Sequence, residues 1–116
     1  MHREGADPQN IEMADVLCDF CRQPWAEKRP MVEGHLGACI CGNCLSVAYA
    51  ACVLHGQHEP LEDREICRLC REHDPDRAHW RSPLMGDAVV CARCLKQAAG
   101  ALHKDPDNDW RKPGSG

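Results

Sequence analysis

Polar residues dominate both ends of the chain, 1–14 and 104–116, and the apolar residues between them come in short clusters. Two stretches carry a helical period. Leu45, Ala48 and Cys52 fall on one face, as do Leu95, Ala98/Ala99 and Leu102, the spacing of an amphipathic helix of about ten to twelve residues. Helices that short are marginal alone, so each must dock on a local core. Ahead of each, short apolar pairs broken by Gly and Pro predict a small hairpin. The first has strands around Met31–Val32 and Ala38–Ile40 joined through Glu33–Gly37; the second has Pro83–Leu84 and Ala88–Val90 around Met85–Gly86–Asp87. No run approaches the roughly 18 apolar residues of a membrane-spanning helix. The opening stretch MHREGADPQNIEMAD lacks the apolar segment of a secretory signal, so the expected setting is the cytoplasm.

Such a pattern builds only a thin core, because small domains bury a low fraction of their surface. The aromatic inventory is Trp25, Trp80, Trp110, Tyr49 and Phe20. Ten cysteines are the obvious substitute for hydrophobic mass. Eight fall into C-x-x-C pairs, Cys18/Cys21, Cys41/Cys44, Cys67/Cys70 and Cys91/Cys94, which suits a bound metal in a reduced chain better than a disulfide scaffold. The pairs also expose a repeat. LCDFCR matches ICRLCR, with Phe20 and Leu69 at equivalent inner positions, and CICGNCLSVAYAACVLH matches VVCARCLKQAAGALHKD. The period is about fifty residues.

Each repeat therefore reads knuckle, hairpin, knuckle, helix: a treble-clef zinc finger, small, α+β and metal-stabilised. The expected layout is a disordered tail over 1–14, a first finger over 15–53, a linker over 54–65, a second finger over 66–103 and a disordered tail over 104–116. Zn²⁺ prefers four tetrahedral ligands in structural sites and binds thiolate strongly. Two C-x-x-C turns brought together by a hairpin close that tetrahedron and leave no position for water or substrate. Two structural zinc ions per chain are expected; iron in a rubredoxin-like site and ligand sets interleaved between the repeats are the alternatives. Cys39 and Cys52 are left over. They align with Val89 and Leu102, which marks them as small core residues rather than ligands.

Formal net charge is −4, and two zinc ions on eight thiolates would take it to about −8. That balance disfavours nucleic acid, whose binding rests on neutralised phosphates. Arg22, Lys28, Arg29, Arg68, Arg71, Arg77, Arg81 and Arg93 keep a nucleic-acid-binding regulator as the alternative reading if they converge on one face. His35, Asn43 and His55 superficially match the layout of a His–metal nuclease, but Asn43 sits inside the second knuckle. No catalytic constellation is expected. Trp25 and Trp80 lie between knuckles and either cover the metal cores or anchor a partner, with Phe20 and Leu69 beside them; Trp110 reads as a solvated tail residue.

LCDFCRQPWAEKRPMVEGHLGACICGNCLSVAYAAC resembles the N-terminal Cys₄ zinc-binding domain of ClpX, the bacterial unfoldase ATPase, and ICRLCREHDPDRAHWRSPLMGDAVVCARCLKQAAGAL resembles a second copy. The resemblance implies one zinc on Cys18, Cys21, Cys41 and Cys44 and another on Cys67, Cys70, Cys91 and Cys94. It also implies a module that dimerises and recognises adaptor or substrate peptides. Two copies on one chain would form that pair intramolecularly, as a monomer, or assemble as a homodimer. The glycine expected after the first knuckle is replaced by Arg22 and Arg71, and no G-x-x-x-x-G-K-[ST] loop follows, so the ATPase engine is missing. The function expected is non-enzymatic: a zinc-binding adaptor for a protein or peptide partner.

Overall fold

The computed structural model describes residues 16–114; the tail expected over 1–14 lies outside the described residues. The first half runs from the Cys18–Cys21 turn through β1 (Met31–Glu33) and β2 (Cys39–Cys41) into α1 (Gly42–Ala48), which continues over Tyr49–Leu54 in the wider π-helical geometry. The second half repeats this with β3 (His79–Arg81), β4 (Val89–Cys91) and α2 (Ala92–Lys104). Each hairpin is antiparallel and in the same register: Met31 faces Cys41, and His79 faces Cys91. Both helices start directly after a strand-ending cysteine, with Cys41 and Cys91 in extended geometry at the cap.

The backbone hydrogen bonds repeat almost bond for bond. Arg22 N donates to Cys18 O and Arg71 N to Cys67 O, both at 2.8 Å; Cys18 N donates to Gln23 O and Cys67 N to Glu72 O, both at 3.0 Å; Gly42 N donates to Pro30 O and Ala92 N to Ala78 O, both at 2.8 Å. These bonds equate Gln23 with Glu72, Arg29 with Arg77, and Gly42 with Ala92. The knuckles also share a strained residue. Arg22 and Arg71 adopt φ of 64° and 66°, the left-handed region that glycine occupies without penalty.

One strand departs from the sequence expectation. The second hairpin starts at His79 and not at Pro83–Leu84. Pro83 has no N–H for a ladder, and the loop instead organises on Ser82, whose Oγ accepts from Leu84 N at 3.1 Å and Met85 N at 3.0 Å. The π-helical turn is a second departure, with His55 N reaching back to Ala50 O at 3.0 Å.

The two halves share one core. Ile40, Leu45, Ala48, Tyr49 and Cys52 of the first pack with Val90, Leu95, Ala98, Ala99 and Leu102 of the second. The contacts are reciprocal: α2 lies against β1 and the end of the first helix lies against β3. At each seam a hairpin loop bonds to the other half's knuckle, His35 N to Leu69 O at 2.8 Å and Ser82 Oγ to Phe20 O at 2.5 Å. The first seam is tight enough to require glycine, since a Cβ on Gly34 would sit 2.6 Å from Leu69 O and 2.7 Å from its Cα.

The segments beyond the helices cross over as well. Past the first helix, His58 Nδ1 accepts from His79 N at 3.1 Å and Glu59 N donates to His79 O at 2.9 Å. Past α2, Trp110 returns to α1. Its Nε1 donates to Gly42 O and Ser46 Oγ, both at 2.9 Å, and its ring lies where a Cβ on Gly42 would fall, 2.8 Å from Cδ1. The expectation of a solvated Trp110 is thus corrected. An indole with a partner for its N–H and an apolar shelf for its ring gains more by docking than by hydration.

Candidate metal centres

Each half brings its four paired cysteines to one point. The sulfurs of Cys18, Cys21, Cys41 and Cys44 lie within 4.8 Å of one another, and so do those of Cys67, Cys70, Cys91 and Cys94. The knuckle turn supplies the first pair, while the last strand residue and the first helical turn supply the second. A tetrahedron with Zn–S bonds of about 2.3 Å has edges of about 3.8 Å. The measured edges include Cys21 Sγ–Cys41 Sγ at 3.7 Å and Cys70 Sγ–Cys91 Sγ at 3.9 Å. Eight soft donors at this spacing fit two structural zinc ions. When bound, each ion supplies folding free energy and closes its own coordination shell.

The local electrostatics explain why a cation is needed. Within the first quartet the Cys18 thiol is held far below its usual range by the hydrogen bonds of Cys41 and Cys44, while the same contacts with Cys18 push Cys41 and Cys44 up. The second quartet repeats this: Cys91 is lowered by Cys67 and Cys94, which are raised in return. Without a cation one charge is tolerated at the expense of the others; a dication removes that competition. Backbone amides favour thiolate too. Phe20 N and Cys41 N point at Cys18 Sγ at 3.4 and 3.3 Å, and Cys91 N points at Cys67 Sγ at 3.3 Å.

The two spare cysteines stay out of both quartets. Cys39 and Cys52 are buried, as are Val89 and Leu102 at the equivalent positions. The Cys39 thiol donates to Gly37 O at 3.5 Å, and burial pushes both thiols up, which makes them poor nucleophiles.

The four residues expected to meet a partner separate into two kinds. Phe20 and Leu69 are buried in the shared core, so they offer no free surface. Each is covered by the opposite half: Trp80 packs on Phe20 with ring centroids 5.9 Å apart, and the backbone at Gly34 lies against Leu69. Trp80 and Trp25 are half-buried. Trp80 joins Phe20, Cys21, Val47, Pro83 and Leu84 around an open groove of about 270 Å³ at the seam. Trp25 borders the cleft in which Trp110 docks. Sequence reasoning missed Val47 and Leu84, which are 58% and 71% exposed; an apolar residue on the outer helix face and another in a Pro-containing loop were the available signals.

Residues 16–52 match the family model of the ClpX C4-type zinc finger. Neither the comparison with curated proteins nor that with solved structures found a match. Residues 16–52 are thus similar to a ClpX C4-type zinc finger, and the second quartet, with its own hairpin and helix, repeats the same arrangement.

Proposed function

We propose that this chain is a non-enzymatic zinc-binding interaction module, two paired ClpX-like fingers that present an apolar seam to a protein or peptide partner. Cys18, Cys21, Cys41 and Cys44 hold one structural zinc and Cys67, Cys70, Cys91 and Cys94 the other. Both ligand sets are closed, which leaves each ion no position for a reacting group. The observation that carries the reading is the groove between Val47 of the first half and Trp80, Pro83 and Leu84 of the second. Exposed apolar side chains gathered at one seam mark an interaction surface, and the module's role in its family points the same way.

Nucleic acid is the weaker alternative because four of its eight candidate cations are paired with carboxylates. Arg68 pairs with Asp87, Arg77 with Glu72 and Asp74, Arg81 with Glu65, and Arg93 with Glu72. The test is titration of the zinc-loaded chain with a panel of short apolar and polar peptides, read by isothermal calorimetry. Apolar peptides should bind, and Leu84→Asp or Val47→Asp should weaken them about tenfold, the scale of one lost apolar contact. Equal binding to both variants would remove the groove from the reading. Steeply salt-dependent DNA binding in place of peptide binding would favour the regulator.

A further inference from the structure

The two quartets have equivalent ligands but unequal surroundings. In the second, Arg77 Nη1 points at Cys70 Sγ and at Cys91 Sγ, each at 3.9 Å. The same guanidinium is fixed by Glu72 at 2.7 Å and by Asp74 at 3.2 Å, and Glu72 in turn holds Arg93 at 2.6 Å. Two arginines thus approach the sulfurs, paired with Glu72 and Asp74, and the Glu72 carboxylate itself lies within hydrogen-bonding reach of Cys70. In the first half the same three places hold Gln23, Arg29 and Asn43. Two are neutral, and the Arg29 guanidinium donates to Pro24 O at 3.0 Å. All three line the open groove beside Cys21 and Cys44.

This asymmetry matters to a zinc tetrathiolate because four thiolates on a dication leave about −2 on the cluster. A charge-assisted N–H···S contact draws off part of that charge and lowers the tendency of each thiolate to take a proton or an electrophile. We propose that the two zinc ions are held unequally: Arg77 makes the second site the permanent one, and the first site, where the equivalent Arg29 guanidinium turns to Pro24 O instead of to sulfur, is the one that exchanges metal.

The inference rests on both quartets being zinc sites, and two zinc ions per chain at the start of the assay establish that separately. The full chain, zinc-loaded, is mixed with a chromogenic chelator while free thiols are trapped with N-ethylmaleimide and located by peptide mass spectrometry. One zinc per chain should leave first, with label appearing on Cys18, Cys21, Cys41 and Cys44 before the second quartet. Arg77→Gln should speed the slow phase by about 10- to 100-fold, the range for loss of a ligand's supporting partner, and leave the fast phase unchanged. Arg77→Lys, which keeps the charge without the fork, should fall between. Simultaneous loss of both ions, earlier labelling of Cys67, Cys70, Cys91 and Cys94, or a slow phase indifferent to Arg77→Gln would each overturn the proposal. The labelling order in the unsubstituted chain decides the matter even if the Arg77 variants fold poorly.

Discussion

At the residue scale the knuckle arginines stand out. Arg22 and Arg71 hold a left-handed backbone, which costs a residue with a Cβ about 1–2 kcal/mol. Glycine would relieve that strain while adding about 0.5–1 kcal/mol of unfolded-state entropy. The strain term is larger, so Arg22→Gly and Arg71→Gly should each stabilise the zinc-loaded chain by up to about 1 kcal/mol, seen as a higher apparent Tm in thermal unfolding. The cysteines carry the opposite lesson. Cys39→Val should keep two zinc ions per chain by elemental analysis, since Val89 already fills that place in the sister half, whereas Cys41→Ser should lose one. These assignments were legible because ligand spacing is a short-range property: four residues of a C-x-x-C turn fix their own geometry wherever they occur.

At the scale of elements, legibility ends where contacts become distant in sequence. Hairpins and helices follow from local period, and β1, β2, β4 and α2 lie close to where the pattern put them. The start of β3 did not follow, because it is set by pairing with Cys91 and not by the apolar Pro83–Leu84. The docking of Trp110 on Gly42 and Ser46 spans more than sixty positions and depends on an indole meeting one particular carbonyl; no window of the chain records it. The bare backbone at Gly34 is the same kind of signal, invisible until Leu69 is seen against it. Gly34→Ala should force the halves apart at that seam, a close-packing cost of about 1–3 kcal/mol. Faster amide exchange at His35, with both zinc ions retained, is the expected measurement.

For the whole molecule, the shared core and the two metal centres are interdependent. The apolar set is too small to hold two separate domains, and each quartet pins the elements that present it. Stripping zinc with a strong chelator should therefore abolish both far-UV helical signal and cooperative unfolding, not merely loosen one half. Acid should act likewise, because the thiols must lose protons to bind the ion: zinc-derived stability is present at neutral pH and falls as pH drops. Neither half is self-contained, for each carries a strap from the other, Glu59 on His79 and Trp110 on α1. Joining the halves in one chain places them at a mutual local concentration in the millimolar range, so their pairing owes nothing to how much protein is made. A pair of separate identical chains must accept every substitution on both faces at once. Here each seam has its own copy in the sequence, and the difference between Trp80 against Phe20 on one side and Gly34 against Leu69 on the other is the freedom that fusion gave: two faces able to diverge toward two different tasks.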